Sequence, residues 1–189
     1  MSSSFSLLLV IGIGAATALA GGPLDNGGFE IDFGLREHNN MWGARGETFG
    51  EAYQVYAGTD AHPKAAHAGS RMAIINVVPY QWSGIWQQIP WAENASFHWA
   101  AYYAIQGGDL PDGVSTFMKV EFYDAADALL SSIEGERHRN DTKRKWVADS
   151  MHGTTPAGTA SVRFVLIAGD APDGKMYTNR IYWDDAEIR

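Results

Sequence analysis

The side chains best suited to holding a ligand are aromatic rings with amides beside them. In Trp82-Ser83-Gly84-Ile85-Trp86-Gln87-Gln88-Ile89, Trp86 and Gln88 stand two apart. On an extended chain they share one face, while Gln87 falls with Ile85 and Ile89, and Trp82 sits in the turn before them. His98, Ala100 and Tyr102 share a face of a later segment in the same way. A concave sheet carrying Trp86, Gln88, His98 and Tyr102, flanked by Trp82 or Trp42, would make a cleft with aromatic plates and polar edges. Arg163 and Tyr177 are more distant options.

The patterns of common enzymes are missing. There is no cysteine, no Gly-x-Ser-x-Gly elbow, no Gly-x-Gly-x-x-Gly fingerprint and no His-Glu-x-x-His zinc helix. Asp60, His62 and His67 lie close in sequence, but in a Gly/Ala/Pro-rich setting that reads as a loop. Glu121 with Asp124, or Glu134 with Glu136, offers carboxylates for acid/base work. A hydrolase or lyase built on them would need a deep groove with one carboxylate in an apolar wall. The expectation is a non-catalytic domain.

The segments that position these residues read as strands. Short runs rich in Val, Ile, Phe, Tyr and Trp alternate with Gly, Asn, Asp and Pro. The pattern predicts strands at 71–78, 84–89, 96–105, 116–123, 145–148, 160–168 and 179–189, with a first strand fed by the Gly27-Gly28-Phe29-Glu30-Ile31 turn. Phe97, Trp99, Ala101, Tyr103 and Ile105 form one apolar face; Val162, Phe164 and Leu166 form another, with Arg163 opposite. Residues 124–131 read as a hairpin loop or a single helical turn. The fold expected is an all-β, two-sheet antiparallel sandwich.

Residues 1–20 are expected to be a secretion signal, with a short apolar run closing on Ala18-Leu19-Ala20. A retained anchor or a buried N-terminal segment is the alternative, because the n-region has no Lys or Arg. Residues 21–189 would then form one secreted domain, extracellular or at the cell surface, with no stable membrane span. Its 14 Lys and Arg against 22 Asp and Glu give a net charge of -8, which repels nucleic acid and anionic membranes. The basic run His138, Arg139, Lys143, Arg144, Lys145 reads as a solvated loop.

Several motifs recur in a familiar order: Asn26-Gly27-Gly28-Phe29-Glu30, Trp42, Ala66-His67-Ala68-Gly69-Ser70, Trp86-Gln87-Gln88-Ile89-Pro90, Val120-Glu121-Phe122-Tyr123-Asp124, Ala160-Ser161-Val162-Arg163-Phe164 and Tyr182-Trp183-Asp184-Asp185. Over residues 24–189 this resembles the galactose-binding-like jelly rolls used as carbohydrate-binding modules of the kind attached to xylanases and glucanases. The resemblance implies a polysaccharide or glycan ligand and a structural Ca2+ near the N-terminus. Carried over to this chain, the ion's ligands are Glu30, Asp184 or Asp185, and backbone oxygens around Asn26 and from His67 to Ser70. Calcium takes six to eight hard oxygens, which such a set can supply. A structural reading stands beside this one. A sandwich of this size could be a subunit of an extracellular filament, surface layer or matrix, self-associating through an N-terminal arm at residues 21–24.

Overall fold

The computed structural model describes residues 24, 27–30, 43–44, 52–56, 65–77, 79–80, 82–169 and 171–188. Trp42, Asn26, Asp60, His62 and the expected signal segment lie outside the described residues. The chain forms an all-β sandwich of two antiparallel sheets, each of five strands among the described residues, none of which is helical. The strands are β1 (Gly43–Ala44), β2 (Ala52–Tyr56), β3 (Arg71–Val77), β4 (Ser83–Pro90), β5 (Ser96–Ile105), β6 (Thr116–Tyr123), β7 (Leu129–Glu134), β8 (Val147–Thr154), β9 (Ser161–Ala168) and β10 (Tyr177–Ile188). The first sheet runs β1-β4-β9-β6-β7 and the second β2-β3-β10-β5-β8.

Alternation decides which side chains meet between the sheets. Ile85, Met118, Val120, Phe122, Val162, Phe164 and Leu166 of the first sheet pack on Ala73, Ile75, Phe97, Trp99, Ile105, Ile181 and Trp183 of the second. Each large apolar side chain buried this way contributes about 1.5–3 kcal/mol before entropy is counted. Trp183 also ties the layers together with a polar bond, its Nε1 donating to Thr116 Oγ1 across the core at 3.0 Å.

Two expectations need correction. Residues 124–131 do not form a loop alone. Asp124 caps a tight turn, accepting from the Ala126 and Ala128 amides, and β7 follows at once as the edge of the first sheet. The short strand expected at 145–148 is instead the longer β8, Val147–Thr154, whereas the turn expected at 27–30 is present. Gly27 and Gly28 turn, and Phe29 adopts φ +54° with its ring fully buried as a plug.

Each sheet also carries a small apolar cluster on its outer face. Phe117, Val165 and Ile167, with Trp82 and Trp86, lie outside the first sheet. Met72, Ile74, Ala104 and Tyr182, with Trp146, lie outside the second.

Candidate functional site

The expected cleft residues divide between these two outer faces. Trp82, Trp86 and Gln88 belong to the first sheet, whereas His98 and Tyr102 stand on β5 in the second. The structure therefore does not bring the two groups together. Alternation assigns a face to each residue, but not the sheet to which its strand belongs.

On the first sheet, register builds a polar row. Gln88 on β4 opposes Arg163 on β9, which opposes Glu121 on β6, which opposes Ser132 on β7. Arg163 donates through Nε and Nη2 to Gln88 Oε1, at 3.1 and 2.6 Å, and through Nη1 to the Tyr123 hydroxyl at 2.8 Å. Its guanidinium lies 4.3 Å from the centre of the Trp86 ring and 4.4 Å from that of Tyr123. Stacking on two rings holds the cation where carboxylates alone would leave it free to swing. Gln88 Nε2 in turn donates to Asp127 Oδ1 at 2.9 Å and Ser161 Oγ at 2.8 Å.

One member of this row is a fully buried carboxylate. Glu121 accepts from the Tyr123 hydroxyl at 2.8 Å, with Lys119 Nζ at 3.2 Å and Arg163 at 3.7 Å. A carboxylate this deep persists only when it is paired. Among the described residues the buried indole Nε1 of Trp86 has no hydrogen-bond partner. Trp82 packs edge-on to Phe117 at 5.7 Å, and the Arg137 guanidinium lies over both rings. Sequence reading found Trp86 and Gln88 but not Glu121 or Lys119 as their neighbours. The signal lay in the β4–β9–β6 register, which a single sequence does not print.

The outer face of the second sheet has different chemistry. Tyr102 stacks on His67 with ring centres 3.5 Å apart, and Trp146 meets His67 edge-on at 6.1 Å. His98 and Tyr102 line a depression of about 220 Å³ together with Ser150, Asp149 and Glu187.

Beside Tyr102 lies the expected metal region. Glu30 accepts from the amides of Ser70 and Arg71, both at 2.8 Å, and from Ser70 Oγ at 2.9 Å. Burial works to raise its pKa, but those amides, the hydroxyl and the Arg71 charge together hold it below the usual carboxylate range. Gly69, at φ +65°, leaves room for this carboxylate, since a Cβ there would stand 2.2 Å from Glu30 Oε1. Asp184 is fully buried and accepts from the amides of His67 at 2.8 Å, Ala68 at 3.4 Å and Asp185 at 2.8 Å. Burial, and after it the Asp185 charge, pushes Asp184 up to about 7 against those amides. Asp185 itself, at φ +47° in the bulge of β10, binds His67 Nδ1 at 2.6 Å. Three stretches of chain, 27–30, 67–71 and 184–186, thus interlock. The carboxylate oxygens of Glu30, Asp184 and Asp185 are of the type a hard cation takes, the His67 imidazole is already held by Asp185, and Asp184 has no cationic partner among the described residues. Among the described residues no three His, Asp or Glu side chains gather into a ready cluster, so backbone carbonyls would have to complete any coordination.

The architecture defines a jelly-roll β-sandwich of the kind seen in carbohydrate-binding modules. It resembles the CBM22-1 xylan-binding domain of Paenibacillus barcinonensis, at TM-score 0.57 and 17% identity over 90% of this chain and 95% of that one. It equally resembles a cyclase from Fischerella sp. TAU solved with 4-(1H-indol-3-yl)butan-2-one, at TM-score 0.61 and 10% identity over 90% and 96%. The enzymatically active domain of tailspike protein 4 of bacteriophage CBA120 matches at TM-score 0.56 and 12% identity, over 87% of this chain but only 20% of that one. Identities this low establish a shared fold. No family profile and no curated protein sequence matches the chain.

Proposed function

We propose that the chain is a secreted, non-catalytic domain that binds a polysaccharide or glycan on the outer face of its first sheet, and that a structural calcium ion braces the opposite sheet. The observation that carries this is the Gln88–Arg163–Glu121 row beside Trp86. Sugars present hydroxyls in a plane with apolar C–H faces. Half-buried Trp86 offers the exposed rim of its indole, held in place by the stacked Arg163 guanidinium that Gln88 in turn fixes, so that little ordering is needed on binding. Neighbours of this fold include xylan-binding and β-1,4-galactotriose-bound modules, which supports the ligand class. Calcium would be held by Glu30, Asp184 and the chain around Ser70, neutralising the buried Asp184 carboxylate and fastening residues 27–30 to β10.

The test is a glycan array and polysaccharide pulldown of the full chain, with calcium and with chelator. Saturable binding that falls at least tenfold in a folded Trp86→Ala variant supports the reading. Undiminished binding in that variant, or none to any glycan, sinks it.

A second reading has one observation in its favour. Glu121 is a buried carboxylate beside the Tyr123 hydroxyl and paired with Lys119 and Arg163, a fixed negative charge able to balance positive charge that develops on this face. In that case the same face would house a small-molecule or glycan-cleaving reaction. Product release from an array-positive glycan, abolished by Glu121→Gln while binding persists, would favour it over a pure binding role.

A further inference from the structure

We propose that β7 is a self-association edge, where a second copy of this chain adds its own β7 antiparallel and joins the two first sheets into one. This goes beyond the ligand-binding reading and does not depend on it.

Sheet edges in soluble proteins are normally blunted by Lys, Pro or inward charges. β7 carries none of these through Leu129-Leu130-Ser131-Ser132-Ile133; its only charged residue is the terminal Glu134. Every residue of the strand is exposed, and Leu129, Leu130 and Ile133 are 53%, 42% and 38% exposed. Among the described residues its one sheet neighbour is β6. The Gly135 amide donates to Met118 at 2.8 Å, and the Lys119–Glu134, Val120–Ile133 and Glu121–Ser132 pairs continue that register. Antiparallel alternation then turns the backbone groups of Ile133 and Ser131 toward β6. Those of Ser132 and Glu134 point away from the sheet.

A peptide edge with outward N–H and C=O groups and aliphatic side chains calls for another strand, not a sugar or a helix. The strand's own sequence makes a second copy the fitting partner. Pairing about a two-fold axis at Ser132 places Ser132 against Ser132 and Leu130 against Glu134, so no like charges face each other. Glu134 is already neutralised within its own chain by Arg137 at 2.8 Å. A protein of net charge -8 thus keeps a neutral strip where a copy of itself can approach.

The absence of cysteine makes the test clean. Ser132→Cys is expected to form a disulfide-linked dimer under mild oxidation, because hydrogen-bonded antiparallel partners bring Cα atoms to about 5.5 Å. Lys175→Cys, on the exposed turn before β10, should stay monomeric. Sedimentation of the full chain should show a concentration-dependent dimer whose dissociation constant rises at least tenfold in Ser132→Pro and in Ile133→Lys. The proline removes only an amide that β6 does not use, so far-UV circular dichroism should be unchanged. A chain that stays monomeric at all concentrations, equal cross-linking at both cysteines, or a dimer that survives both variants overturns the proposal.

Discussion

Removing the Glu121 carboxylate would leave Lys119 and Arg163 facing each other across a dry site. Glu121→Ala is therefore expected to cost about 3–5 kcal/mol in urea unfolding, as loss of one partner from a buried ion pair does. Arg163→Lys keeps the charge but loses the bidentate grip on Gln88 and the stack on Trp86. It should fold, yet bind glycan at least tenfold more weakly in the pulldown. Asp184 gives a signature in pH. Its folded pKa of about 7 lies above the ordinary 3.8, so the folded chain holds the proton more tightly. The resulting stabilisation is full below about pH 4 and is lost as pH rises through about 7, amounting to a few kcal/mol. In chelator, the wild type minus Asp184→Asn difference in unfolding free energy should trace that decline. With calcium bound to the ionised carboxylate, it should not.

How far each strand could be read ahead of its structure depended on how regular its alternation is. β5 and β6 fall where the sequence placed them because each repeats an inward apolar residue at every second position: Phe97 to Ile105 in one, Met118 to Phe122 in the other. β7 was missed because Leu129-Leu130 and Ser131-Ser132 break that period and the strand buries nothing. The pairing of Gln88 with His98 failed for another reason. Both face outward, but the crossovers that send β4 and β5 to different sheets leave no mark on either strand. The Glu30 clamp was legible as a motif, though its geometry was not. Its dependence on Gly69 can be checked directly. Gly69→Ala forces a side chain onto Glu30 at a left-handed backbone position and should cost about 2 kcal/mol or more, while also erasing any calcium-dependent rise in Tm.

For the molecule as a unit, calcium and the sandwich should be thermodynamically linked. If the ion binds only the folded chain, calcium at a hundredfold its Kd adds about 2.7 kcal/mol, read as an upward shift in Tm that chelator reverses and Asp184→Asn abolishes. The interlock has a mechanical side as well. β10 is a central strand, hydrogen-bonded to β3 on one flank and β5 on the other, and the Ala186 amide is further fastened to the Gly27 carbonyl at 2.9 Å. Tension applied along such a strand cannot peel it away bond by bond as it could an edge. Two ladders must slip together in shear, and the turn at residues 27–28 must be torn loose in the same event. A domain held by its last strand while its other sheet grips a fixed polymer would be loaded along its strongest direction.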